Sequence, residues 1–250
     1  MLMRTLTTVL LALGVLLAGG CVKMKQIVTV MPDGSGKLEF TMGVSQMLVA
    51  QAGENPLDQF TLEEMAGDEM PQGIVAMTAP QKWEEGGFEY VTFTMYFDDI
   101  NEVAGPEGET EEMFANYTFT NDGDGCTLTV NGGMALELSA NYEKPGADEL
   151  QMMQQMMNGF EIVERYVLPG EAEDIEGVEM IDNTADITID LDTLVEGDGP
   201  IAALQGKDSM VLTVGENTID DATVEAFAAE LAQAIVEWEA LKEEMDMEME

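Results

Sequence analysis

Twice this chain sets an Asp-Gly-Xaa-Gly turn between two runs in which apolar and polar residues alternate. Residues 27–30 and 37–42 flank Asp33-Gly34-Ser35-Gly36, and residues 116–120 and 126–130 flank Asp122-Gly123-Asp124-Gly125. A period of two puts successive side chains on opposite faces of a strand, and Asp-Gly between two such runs is the turn chemistry of an antiparallel hairpin. The repetition is read as shared turn chemistry rather than an internal duplication.

The remaining segments fit around these hairpins. Residues 88–97, Phe-Glu-Tyr-Val-Thr-Phe-Thr-Met-Tyr-Phe, form a long aromatic and β-branched strand. Further strands are expected at 160–167, 186–191 and 209–214, with Pro169-Gly170 in a loop and another loop at 105–110. Residues 44–66 carry helical spacing divided by Pro56, which predicts two short helices. Asp148 is positioned to cap a helix that ends at Gly159. A last helix begins near Asp220 or Asp221, with Thr218 and Asp221 as a capping box, and runs past Trp238. The expected class is α+β: antiparallel β-hairpins forming a sheet, helices packed on one face, and a long C-terminal helix.

That last helix has a seam. Val224, Leu231, Trp238 and Met245 recur every seven residues, and Phe227, Ala234 and Leu241 make the second row. An amphipathic helix packed on its own sheet explains the pattern; a contact with a protein partner or a second copy is the alternative. Its acidic polar face does not suit a membrane surface, where Lys and Arg are favoured. Residues 240–250 read as a frayed acidic, Met-rich tail.

The first 21 residues set the address. Arg4 precedes an apolar run from Leu6 to Ala18, which ends in Gly19-Gly20-Cys21. A basic start, a short apolar stretch and small residues at the cut define a secretory signal, too short to be a good membrane span. Leu16-Leu17-Ala18-Gly19-Gly20-Cys21 resembles the bacterial lipobox, in which diacylglycerol is placed on the cysteine sulfur and the chain is cut before it. Residues 1–20 are thus read as a lipoprotein signal peptide and 21–250 as one acidic α+β envelope domain. The site residue is Cys21, lipidated, holding the domain on a membrane at the periplasmic or extracellular face, the outer membrane in a Gram-negative cell. Cys126 then lacks an intrachain partner and is expected as a buried, small apolar residue.

Composition bounds the chemistry. The chain has 50 acidic and 9 basic residues; without residues 1–20, which hold one arginine, the net charge is −42. Nucleic-acid binding needs a basic footprint and is excluded as a class. Lys23 and Lys25 are the basic residues nearest the lipid. Hydrophobic residues make up 46%, enough to build a core despite the charge. There is no histidine, which removes Ser-His-Asp and Cys-His catalysis and imidazole metal sites. No catalytic residue, cofactor or metal site is assigned.

Three weaker signals remain. Placing Asp124-Gly125 in a calcium loop puts Thr120 and Asn131 where acids are required, so a hairpin turn is the better reading. Asp186, Asp190 and Asp192 are expected on the solvated face of a strand, with a weak divalent-cation site as the alternative. Twenty-one methionines, crowded at Met152, Met153, Met156 and Met157, are read as core filler, with a Met-rich Cu(I)-binding role as the alternative function. A carboxylate-only hydrolase is the other alternative, but choosing a pair such as Asp98 and Asp99 from 50 acids is arbitrary.

Gly20-Cys21-Val22-Lys23 with Val28-Thr29-Val30 and Asp33-Gly34-Ser35-Gly36, and later Gly159-Phe160 with Val167-Leu168-Pro169-Gly170, resemble LppM-type bacterial lipoproteins over about a quarter of the chain. The resemblance implies a periplasm-facing α+β domain with an apolar surface or cavity that meets lipids. The chain departs from the family at its end, where an acidic helix stands in place of a membrane span, so attachment is expected to rest on Cys21. The function expected is that of a lipid-anchored, non-enzymatic envelope domain with a binding or structural role.

Overall fold

In the computed structural model, residues 22–248 are described, except 54, 66–70, 105–114, 124, 141, 147–149, 152–156, 158, 174 and 176–177. The first hairpin sets the frame. Strand β1 (Val22–Val30) turns at Asp33, whose carboxylate accepts from the Ser35 N–H at 3.1 Å and from its hydroxyl at 2.6 Å, and returns as β2 (Gly36–Ser45). Gly34 takes φ +89, a left-handed turn that a side chain rarely adopts. On β1, Val22, Met24, Gln26, Val28 and Val30 point to the core, and the residues between them are part exposed.

Next come α1 (Gln46–Ala52), capped by the Ser45 hydroxyl, a 3-10 turn at Pro56–Gln59, and α2 (Leu62–Met65). Pro56 divides the helical region as expected. Three strands follow: β3 (Ile74–Met77), β4 (Gln81–Glu85) and β5 (Phe88–Phe97). The second hairpin is β6 (Asn116–Asn121) and β7 (Cys126–Asn131), leading to α3 (Met134–Ala140). Then come β8 (Glu161–Val167), β9 (Gly170–Ala172), β10 (Glu179–Ile181) and β11 (Thr184–Asp190). Helices α4 (Leu191–Glu196) and α5 (Pro200–Leu204), strand β12 (Ser209–Asn217) and helix α6 (Asp221–Glu248) complete the chain. The helix expected over 148–158 falls largely outside the described residues, as does the loop at 105–110.

The chain is α+β, with mostly antiparallel strands and a long C-terminal helix. The strands divide into two sheets rather than one. The larger runs β10-β11-β8-β1-β2-β5-β3, with β4 also on β5; the smaller runs β6-β7-β12-β9. One pair at the centre of the larger sheet is parallel: β1 beside β8, with Gln26 opposite Glu164. Pro169-Gly170, read as loop, opens β9, whose Gly170 pairs with Asn217 in the smaller sheet.

The core includes Val28, Leu38, Phe40, Met42, Val91, Phe93 and Met95 of the larger sheet and Leu128, Val130, Leu212 and Val214 of the smaller. Helix α6 lies over the opposite, outer face of the larger sheet. Its Glu230 accepts from the Lys37 ammonium at 2.9 Å and the Tyr96 hydroxyl at 3.0 Å, and Lys37 and Tyr96 are cross-strand partners on that face. Its cap is Asp220, which accepts from the Thr223 N–H at 2.7 Å, in place of the expected Thr218–Asp221 box.

Candidate functional site

Two places in this fold hold polar chemistry that packing alone does not require. The first is a closed node between the sheets. Gln26 and Glu164 are neighbours on β1 and β8, both aimed inward and both below 5% exposed. The Gln26 amide donates to the Tyr117 hydroxyl at 3.2 Å, tying β1 to β6 across the interior. Glu164 accepts from the Ala135 N–H at 2.9 Å, at the start of α3, and from the Tyr166 hydroxyl at 3.0 Å. Burial pushes the Glu164 carboxyl above its usual range, and the Ala135 hydrogen bond opposes that shift. Burial first, then the charge of Glu164, raises the Tyr117 and Tyr166 hydroxyls. Gly133 is needed beside it: φ is +92 there, and a side chain would press on Glu164 and Ala115. This carboxylate is sealed from solvent and spent on holding α3.

The second is an aromatic shelf on the outer face of the larger sheet. Register places Glu161, Lys23, Gly43, Tyr90 and Trp83 in one row across five strands. Gly43 is small for a reason: a Cβ there would stand 2.5 Å from the Tyr90 ring, so the ring lies over it. Trp83 stacks on Tyr90 with centroids 5.1 Å apart and planes 12° from parallel. Phe88 continues the stripe at 6.0 Å from Tyr90, and the Lys23 ammonium sits 5.3 Å from the Phe88 ring. A cleft of about 140 Å³ opens beside the pair, lined also by Asn55, Leu57, Lys82, Glu84 and Glu89. That volume is below the roughly 300–1,000 Å³ of pockets that enclose a small ligand.

The residues singled out in the sequence fall as follows. Cys21 lies outside the described residues; β1 starts at the next residue. Cys126 is buried, and burial, helped by the Asp122 charge, pushes its thiol up to about 11. Asp186 and Asp190 share the outer face of β11, while Asp192 lies beyond the strand. Asp186 pairs with Arg165 on the neighbouring strand, Asp190 caps α4 by accepting from the Thr193 N–H at 2.8 Å, and Asp192 lies in the first turn of α4. The strand ends at Asp190, one residue short of the expected end, because that residue also caps α4. Asp99 accepts from the N–H and side-chain amide of Asn101, so it is a turn former. At 121–125, the Gly123 N–H donates to Asn121, as in a hairpin turn; Asp124 lies outside the described residues.

Met24, Met31, Met42, Met77, Met95, Met134 and Met210 are buried in the core. Met152, Met153 and Met156 lie outside the described residues, and Met157 packs against the core. Of the seam on α6, Phe227, Ala234 and Trp238 are buried against the chain's own core, with Leu231, Leu241 and Met245 packed beside them. Among the described residues no helix is long and apolar enough to cross a membrane.

Sequence reasoning placed neither the polar node nor the shelf. The node joins distant parts of the chain, with 91 positions between Gln26 and Tyr117 and 29 between Ala135 and Glu164, and nothing local marks such pairings. The shelf had one visible clue, a lone Trp83 two residues before an acidic Gly-Gly turn.

No family model matches this chain, and no curated protein does. Among solved structures, it is similar to the folded domain of the LppM protein of Mycobacterium tuberculosis, determined by NMR. The TM-score is 0.41 at 11% sequence identity, covering 82% of this chain and 94% of that one. This is a weak structural resemblance.

Proposed function

We propose that this protein is a lipid-anchored domain of the bacterial cell envelope, held by acyl chains on Cys21 and working by binding rather than by catalysis. The observation that carries the reading is the join between anchor and fold. Val22, the residue after Cys21, is already buried and paired with Val44. β1 is the middle strand of the larger sheet, so a lipid on Cys21 holds the domain with no flexible linker. The residues ahead of it supply the secretory signal and the lipobox-like Leu16 to Cys21 run. Two or more acyl chains give stable attachment where one does not.

The nucleophiles and acids in the interior support binding over chemistry. Among the described residues Glu164 is the one buried carboxylate, and it is committed to α3; the Cys126 thiol is shut away. Mass spectrometry of the mature N-terminus tests the anchor. A diacylglyceryl Cys21 is expected as the first residue. A mature chain starting elsewhere, or a Cys21→Ser protein that is still processed and membrane-bound, overturns it.

A further inference from the structure

The end of the larger sheet from which Val22 emerges carries the shelf. Val22 pairs with Val44, one row in from the last row of the sheet, Ser45–Phe88–Glu85. Phe88 therefore lies one row beyond Val22 at this end of the sheet. Helix α1 starts in that last row, its Gln46 N–H donating to the Gly87 carbonyl, and presents Met47 at 67% exposure. Trp83 is 39% exposed and is the only aromatic among the exposed large hydrophobic residues described. Three strand spacings, roughly 14 Å, separate it from Lys23.

We propose that this end of the sheet seats in the headgroup layer of a net-neutral phospholipid bilayer, with Trp83, Tyr90, Phe88 and Met47 as the contact. The proposal rests on the lipid anchor at Cys21, because that anchor fixes which end of the domain meets the membrane. Trp and Tyr combine an apolar ring with a polar handle, which suits the boundary between acyl chain and headgroup. Among the described residues, neither the Trp83 indole N–H nor the Tyr90 hydroxyl finds a protein acceptor, so both are free for lipid carbonyls and phosphates. Lys23 and Lys25 are the only charged residues of β1 and sit on the same face as the shelf. Glu84 and Glu85 follow Trp83 on β4, and Glu161 pairs with Lys23 at 3.8 Å, so a strongly anionic surface is disfavoured.

The test uses the full lipoprotein in phosphatidylcholine vesicles with brominated acyl chains. The chain has two tryptophans, and Trp238 is buried at 2% exposure, so bromine quenching reads Trp83. Vesicles brominated near the headgroup are expected to remove roughly half of the Trp83 emission, deeply brominated ones less, and Trp83→Phe is expected to abolish the effect. Emission equal in brominated and plain vesicles overturns the proposal. So does a blue shift that grows with protein concentration without vesicles, which assigns the shelf to a second copy.

Failure of the anchor is read separately. If Cys21 proves unmodified, its thiol is coupled to a maleimide headgroup while buried Cys126 stays unreactive. Quenching in that state supports the shelf though the native anchor fails; vesicle flotation without quenching sinks the shelf and leaves the anchor standing.

Discussion

Glu164 occupies a place where an ionised carboxylate is costly, and its neighbours only partly offset that cost. Because burial raises its folded pKa, the unfolded chain gives up this proton first as pH rises. The folded state then binds more protons than the unfolded one, so stability falls with rising pH between the unfolded and the folded pKa. Glu164→Gln keeps an acceptor for the Ala135 N–H and removes the titration. Relative to wild type, the variant should gain stability as pH rises from the ordinary carboxylate pKa of about 4 toward the raised folded one, by no more than about 1.4 kcal/mol per pH unit, the limit for one proton. Urea melts of both proteins across that range check it; parallel curves would show that Glu164 does not titrate differently on folding. Glu164→Ala should cost about 1–3 kcal/mol at any pH by orphaning the amide. Cys126 makes a second residue-scale prediction. With its thiol pushed up to about 11, only about one part in a thousand is thiolate at pH 8. In the acylated protein, a thiol reagent should find nothing native and one group after unfolding. Gln26 shows why β1 was legible only from Ile27. Its amide breaks the apolar alternation at a core-facing position, and only its bond to Tyr117, far along the chain, explains that polar residue in the interior.

At the scale of elements, what could be read ahead was local. The two Asp-Gly hairpins, the long strand over 88–97 and the C-terminal helix each carry their signal within a dozen residues or as one repeating period. The parallel join of β1 to β8 carries none, because the partners lie more than 130 positions apart in the register. Strands β3, β4, β9 and β10 are three to five residues long, too short for alternation to stand out, and β9 opens on a Pro-Gly pair that speaks for a turn. Close packing within the hairpin gives a sharp prediction. A Cβ at Gly36 would lie 2.0 Å from the Thr29 carbonyl and 2.5 Å from the Phe97 ring. Gly36→Ala should therefore cost at least about 1–3 kcal/mol through overpacking, measured by denaturant melts; a neutral result would mean the hairpin does not close as described. Helix α6 is tested by Trp238→Ala, which should cost about 3–5 kcal/mol because the indole is buried against the chain itself. The loss should not depend on protein concentration. A midpoint that moves with concentration would favour the seam as a contact between copies.

For the whole molecule, the dominant quantity is charge: 50 acids against 9 bases. Among the described residues four of the eight cations are in ion pairs: Lys37 with Glu230, Lys82 with Asp58, Arg165 with Asp186 and Lys23 with Glu161. The remaining carboxylates repel one another more when the chain is compact than when it is extended, so repulsion opposes folding. Added salt shortens the reach of each charge, from about 30 Å at 0.01 M to about 3 Å at 1 M ionic strength. Stability should therefore rise with salt. For a chain of this size each kcal/mol of repulsion relieved raises the thermal midpoint by about 2–4 °C. Chloride salts separate screening from other effects, because sulfate and phosphate stabilise proteins by exclusion from the surface. Sodium, potassium and choline chloride should act alike if screening is the cause. A thermal midpoint that stays flat from low to molar salt, or that responds to one cation only, would refute whole-molecule repulsion and point to a local ion effect. With the proposed lipid on Cys21, the same field would orient the domain at a membrane, pushing the acid-rich bulk away from anionic headgroups while the tether and the lysines of β1 hold one end down. Salt should for that reason draw the anchored domain closer to vesicles containing anionic lipid, seen as Trp83 quenching that increases with ionic strength. Quenching that instead falls with salt would mean the lysines, not the aromatic rings, carry the contact.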